Sequence, residues 1–138
     1  MHVRSAARRW AETWERCWAL GEVDPIVALY DDAASFRSHP FRDERRGREG
    51  VRAYVDAAFA VEEAVEAVFA EPLCEGERAL VEWWATLYED GEEITLCGCS
   101  LLRFGADGLC LSQRDYWHRA RGRVPPPWPA GGGRRARS

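Results

Sequence analysis

Residues 78–119 read RALVEWWATLYEDGEEITLCGCSLLRFGADGLCLSQRDYWHR, and this stretch decides the fold. It holds three runs, 78–89, 93–104 and 109–119, rich in Val, Leu, Trp, Tyr and Thr, the residue types that suit a pleated, half-buried backbone. Asp90-Gly91 separates the first two. It is the strongest short hairpin signal in the chain, because the tight turn between two strands needs residues that tolerate positive φ. Ala106-Asp107-Gly108 separates the second run from the third. The spacing predicts an antiparallel meander of three long strands, with a fourth before it at 63–73. Side chains then alternate between two faces. Trp83, Ala85 and Leu87 share a face, as do Gly98, Ser100 and Leu102, and again Gln113, Asp115 and Trp117. Trp84, Cys97, Cys99, Leu101 and Tyr116 fall opposite.

Upstream, the period changes. Trp10, Trp14 and Trp18 recur every four positions within 5–20, with Ala7, Ala11 and Cys17 beside them, giving an amphipathic helix that Gly21 ends. This stripe needs only a core to explain it. Asp24-Pro25 sets a cap before a residue preorganised for the first helical turn, so a second, short helix runs to about residue 30. Residues 33–38 read as a strand, and Val51, Tyr54, Val55 and Phe59 mark a third helix over 47–60. The run RDERRGRE at 42–49 mixes both signs and reads as a solvated connection. Three helices packed on a strongly curved, mostly antiparallel sheet make an α+β domain over 1–120. Residues 121–138 contain PPPWP, GGG and five Arg without an acid. From 124 onward there are too few core residues to pack, so a mobile basic tail is expected.

Composition narrows the function classes. The chain has 138 residues, 46% of them hydrophobic and seven of them Trp, which suits one compact domain and excludes general disorder. No uncharged apolar run approaches the roughly 20 residues that cross a bilayer. Arg4, Arg8, Arg9, Glu12, Glu15 and Arg16 interrupt the N-terminal stretch, so it lacks a signal-peptide centre and a cytoplasmic chain is expected. All 19 basic residues are Arg, and Lys and Asn are absent, as expected of a GC-rich bacterial gene. Cys17, Cys74, Cys97, Cys99 and Cys110 show no metal-type spacing with His2, His39 and His118. They read as reduced thiols, and no metal or cofactor is expected. Residues 1–120 carry 14 basic against 23 acidic side chains, a balance of −9 that repels a phosphate backbone, so nucleic acid is not an expected partner.

Several short motifs join this order of elements: Trp18-Ala19-Leu20-Gly21, Ile26-Val27-Ala28-Leu29-Tyr30-Asp31-Asp32-Ala33, Gly47-Arg48-Glu49-Gly50-Val51-Arg52-Ala53-Tyr54-Val55, and Leu102-Arg103-Phe104 with Arg114-Asp115-Tyr116-Trp117. Together they resemble the SnoaL-like branch of the nuclear transport factor 2-like superfamily. The resemblance implies a cone-shaped sheet around a pocket that the helices cover. It also invites comparison with the ketosteroid isomerases of that fold, which use an Asp base and an oxyanion hole made by a Tyr and a protonated Asp. Matched residue by residue, Trp14 stands at the Tyr position, Ser38 at the base and Ser100 at the protonated Asp. None of the three catalytic types is present, so ketosteroid isomerisation is not expected.

The same resemblance assigns Trp83, Ser100, Leu102, Gln113, Asp115 and Trp117 to the concave side, with Trp14, Phe36, Ser38, Tyr54 and Phe59 closing the pocket. Aromatic walls with few polar groups suit a small, mostly apolar molecule. Asp115 admits two roles. Between Trp83 and Trp117 its carboxyl would be desolvated and its pKa raised, fitting an acid or base for isomerisation, cyclisation or hydration. At the rim it would instead pair with Arg103 or Arg114. His39 precedes Pro40 and is therefore extended; a bend there would bring it to the pocket mouth as a second proton-transfer group, while strict alternation would turn it away. On the convex face Trp84, Leu101 and Tyr116 are too apolar for water, which predicts a homodimer. A non-catalytic dimeric module that binds a ligand or a protein is the alternative function.

Overall fold

The computed structural model describes residues 2–128. Helices α1 (Val3–Leu20), α2 (Asp24–Val27) and α3 (Gly47–Val61) accompany seven strands: β1 (Tyr30–Arg37), β2 (Arg45–Arg46), β3 (Glu62–Phe69), β4 (Leu73–Glu75), β5 (Arg78–Glu89), β6 (Glu92–Phe104) and β7 (Cys110–Arg121). The strands form one mixed, curled but unclosed sheet in the order β2-β1-β7-β6-β5-β3, with β4 added to β5. Only the β1–β7 pair is parallel; the rest are antiparallel. The α+β class and the β5–β6–β7 meander are as the sequence predicts. Among the described residues no helix is long and apolar enough to cross a membrane.

The hairpin chemistry behaves as its residues require. Asp90 and Gly91 both sit at positive φ, 53° and 79°, and the β5–β6 register runs without a break from Arg78↔Arg103 to Glu89↔Glu92. A different glycine lets two strands come close. A side-chain carbon on Gly98 would lie 2.0 Å from the Tyr116 carbonyl oxygen and 2.6 Å from Trp117 Cα, so β7 approaches β6 there as no other residue would permit.

Three boundaries differ from expectation, the first two because a tertiary contact outweighs local propensity. Helix α2 stops after one turn and β1 begins at Tyr30, not at 33, because the Cys110 amide donates to the Leu29 carbonyl and Tyr30 registers with Cys110. Part of the charged run forms β2, where Arg45 and Arg46 pair with Phe36 and Ser35. The expected strand 63–73 divides into β3 and β4 around the fully buried Pro72, which lacks the amide a ladder requires.

The core lies between α1 and the concave side of the sheet, with Trp10, Tyr30, Phe36, Val51, Val55, Val81 and Leu87 fully buried. Trp10, Trp14 and Trp18 are all buried, and truncating Trp10 to alanine would cost about 3–5 kcal/mol. The chain end corrects another expectation. Trp128 is half-buried and the backbone of the exposed Val124 is held: the Trp84 indole donates to the Val124 carbonyl at 2.6 Å, and the Trp84 and Trp128 rings meet edge-on at 6.0 Å. Thr95 Oγ1 donates to the Gly122 carbonyl and accepts from the Val124 amide, while Arg123 bridges Glu66 and Glu93. Residues 129–138, the rest of the expected tail, lie outside the described residues.

Candidate functional site

Register and alternation bring the site together from three strands. Trp83, Gly98 and Trp117 stand side by side on β5, β6 and β7; Ser100 is opposite Asp115, and Leu102 opposite Gln113. Helix α1 lays Trp14 and Trp18 over this face, and α3 contributes Tyr54 and Phe59. Between them is a cavity of about 870 Å³, within the roughly 300–1,000 Å³ of ligand sites.

Of the residues expected in the pocket, Trp14, Ser38, Tyr54, Phe59, Trp83, Ser100, Gln113, Asp115 and Trp117 line this cavity. Phe36 and Leu102 do not. They share the Gln113 level, where the curled sheet is filled solid: Phe36 packs against Tyr30 and Tyr54 at 6.0 and 5.2 Å, and both side chains are buried. His39 is also outside the lining. Its ring lies edge-on to Trp117 at 5.0 Å and its Nδ1 accepts from the Phe41 amide, so the bend at Pro40 does not aim it inward.

Asp115 keeps residual exposure, and it lines the cavity. Neither Arg proposed as its partner reaches it. Arg103 pairs with Glu77 at 3.5 Å, and Arg114, its neighbour in the chain, is exposed. Two chains of hydrogen bonds converge on the carboxylate instead. Trp83 Nε1 donates to Ser100 Oγ at 3.1 Å, and Ser100 donates to Asp115 Oδ1 at 2.6 Å. On the other side Trp10 and Trp14 each donate an indole N–H to the Tyr30 hydroxyl at 3.1 Å, and Tyr30 donates to Gln113 Oε1. Gln113 is thereby forced to present its amide N–H, which reaches Asp115 Oδ1 at 2.9 Å and Oδ2 at 3.2 Å.

Every link in both chains points its proton toward Asp115. The short hydrogen bonds fall on Oδ1, so Oδ2 is the oxygen left for a ligand. Burial pushes the Asp115 carboxyl up to about 7, and the hydrogen bonds from Ser100 and Gln113 oppose that rise without cancelling it. The group therefore exchanges a proton near neutrality, in a fixed orientation, inside an apolar cavity. Tyr30, fully buried, is held neutral: desolvation raises its pKa well above the usual phenol value.

The sequence reading missed Tyr30, Trp18 and Glu62 as site residues. Trp18 Nε1 donates to Glu62 Oε1 at 2.8 Å, and both line the cavity. Burial raises the Glu62 carboxyl. The apolar spacing of α1 does signal Trp18, but Tyr30 at a helix–strand boundary and Glu62 at the α3–β3 junction carry no periodic signal.

Comparison with known proteins agrees with this fold. Residues 7–113 match the family model described as the SnoaL-like domain. No curated protein matches the sequence. Similar solved structures include RV0760c from Mycobacterium tuberculosis (17% identity, 88% of this chain and 100% of that one, TM-score 0.75). Another is SalBIII, described as an epoxide hydrolase/cyclase-like enzyme in pyran ring formation in the polyether salinomycin (18%, 86% and 96%, TM-score 0.74). A third is an M. tuberculosis LEH-like epoxide hydrolase (16%, 85% and 86%, TM-score 0.70). At these identities the likeness concerns the fold.

Proposed function

Since this chain belongs to the SnoaL-like domain family, we propose that its cavity binds a small, mostly apolar molecule and that Asp115 moves a proton on it, in a hydration, cyclisation or isomerisation that needs no cofactor. One observation carries the reading: a carboxyl with pKa about 7 faces a cavity while six hydrogen-bonded side chains orient it. A group that titrates near the working pH serves as base and then as acid.

Two of the similar structures are described as epoxide hydrolase-type enzymes, and the Asp115 geometry suits that chemistry. The ionised Oδ2 takes a proton from water, or from a hydroxyl of the substrate itself. The freed oxygen attacks an epoxide carbon as its C–O bond breaks. The protonated Asp115 then returns the proton to the opened oxygen, leaving a diol or a cyclic ether and the carboxylate as it began. The apolar walls keep competing bulk water away from the reacting carbon.

The test is a panel of lipophilic epoxides, with and without an internal hydroxyl, assayed against the wild-type chain and Asp115→Asn. Turnover that falls at least a hundredfold in the variant supports the proposal. Turnover that survives the substitution defeats it. A second reading, ligand binding without turnover, rests on Trp14, Ser38 and Ser100 at the three isomerase positions; binding of these epoxides with no product from any of them would favour it.

A further inference from the structure

Asp115 and Glu62 both line the cavity, and their neighbours differ in positive charge. Near Asp115 the protein supplies its own cations: the Arg42 guanidinium lies 5.3 Å from the Trp117 ring centre, and that of Arg45 lies 5.9 Å from the Tyr54 ring centre. Elsewhere in the lining Glu62 stands beside Trp18, whose ring meets Trp14 at 6.1 Å and Trp83 at 5.7 Å; Phe59 closes on Trp14 at 6.5 Å. All five of these side chains line the cavity. Among the described residues no guanidinium lies over these rings, and no Arg or His is within ion-pair distance of Glu62. Arg119, which also lines the cavity, bonds Glu89 at 2.8 Å. Glu89 is the register partner of Glu62 and adds its own negative field.

A carboxylate set among aromatic rings, with no cation of its own, is the arrangement that recognises a substituted ammonium group, through ion pairing to the carboxylate and attraction to the ring faces. We infer that the part of the cavity at Glu62 binds the cationic amine of the ligand, whose apolar body then extends toward Asp115. An anionic head group is disfavoured there: it would face Glu62, in a domain whose first 120 residues carry a balance of −9. The inference rests on the proposed small-molecule cavity and names the class of molecule it takes.

The test uses the full chain and two probes of the same shape, phenethyltrimethylammonium and the neutral 3,3-dimethylbutylbenzene, with binding followed by intrinsic Trp fluorescence at pH 8. The cation should bind at least tenfold more tightly than the neutral probe. That preference should collapse to less than threefold in Glu62→Gln and persist in Glu66→Gln, which removes the same charge outside the cavity, where Glu66 pairs with Arg123. Thermal unfolding establishes that each variant is folded. Equal affinity for the two probes, or a preference that Glu62→Gln leaves intact, overturns the cation site while the cavity reading stands. If neither probe binds, both readings fall.

Discussion

Strands β5 to β7 present two faces made of neighbouring residues, and the two are finished in different ways. On the concave face Trp83, Ser100, Gln113 and Asp115 are joined by hydrogen bonds that end at one carboxylate beside a cavity. On the convex face Trp84, one residue from Trp83, is met by Val124 and Trp128 from the chain's own end. The contrast reflects what each kind of group demands. A buried polar atom needs a particular partner at a particular angle, so its surroundings are specified in detail. An apolar ring needs only to be covered, and many segments can cover it.

The sharpest way to break the comparison is at Asp115. Asp115→Asn keeps an oxygen where Ser100 and Gln113 donate, since both short hydrogen bonds fall on Oδ1. The fold should survive while proton-transfer turnover falls about 10²–10⁴-fold. Stability gives an independent readout. With a folded pKa of about 7 above the usual carboxylate value, the native state holds the extra proton in the window from about pH 4 to 7. Wild-type stability should therefore decline as pH rises through that window and level off above it. The variant should lack this decline and exceed the wild type by about 4 kcal/mol at pH 8, as measured by denaturant titration. Equal pH profiles would show that Asp115 titrates as an ordinary surface carboxylate.

Gly98→Ala comes next. The added carbon meets β7 backbone, which cannot swing aside as a side chain would, so unfolding should become easier by about 3 kcal/mol. A neutral result would mean that β6 and β7 separate freely at this point. Tyr30→Phe should cost about 2–3 kcal/mol, because it leaves the Trp10 and Trp14 N–H groups and the Gln113 oxygen unpaired in the interior. It should also broaden the pH profile set by Asp115, since Gln113 loses the contact that fixes its orientation. A Phe variant with unchanged stability and profile would remove Tyr30 from the network.

The concave face was legible because period-two alternation is rigid: once Trp83, Ser100 and Asp115 are placed in strands, they must share a side. What alternation does not carry is depth. Phe36 and Leu102 are on the expected side, but at a level where the sheet has already closed on its own side chains. Tyr30 was hidden by a helical propensity that the Leu29–Cys110 hydrogen bond overrides. Glu62 sits where helix gives way to strand and neither period applies. Pairing of Trp84 with Trp128 spans more than forty residues, and the composition of PPPWP by itself says only that the segment cannot make a core.

The smallest effect belongs to that segment. Ending the chain at Arg123 removes the Trp84 indole hydrogen bond, the edge-on aromatic contact and the Val124 amide's bond to Thr95, while the Gly122 bonds and the Arg123 bridges stay. The expected cost is about 1–2 kcal/mol, a fall in Tm of a few degrees. Truncation also uncovers Trp84 on the face that carries Leu101 and the already exposed Tyr116. Pairing of two copies through Trp84, Leu101 and Tyr116 requires the end segment to leave Trp84, so the truncated chain should self-associate more strongly than the full one in sedimentation equilibrium. If truncation lowers Tm and association stays the same, the segment is a structural cover alone. If Tm does not move at all, Trp128 contributes nothing to the convex face, and the contrast between the two faces reduces to one ordered side and one bare one.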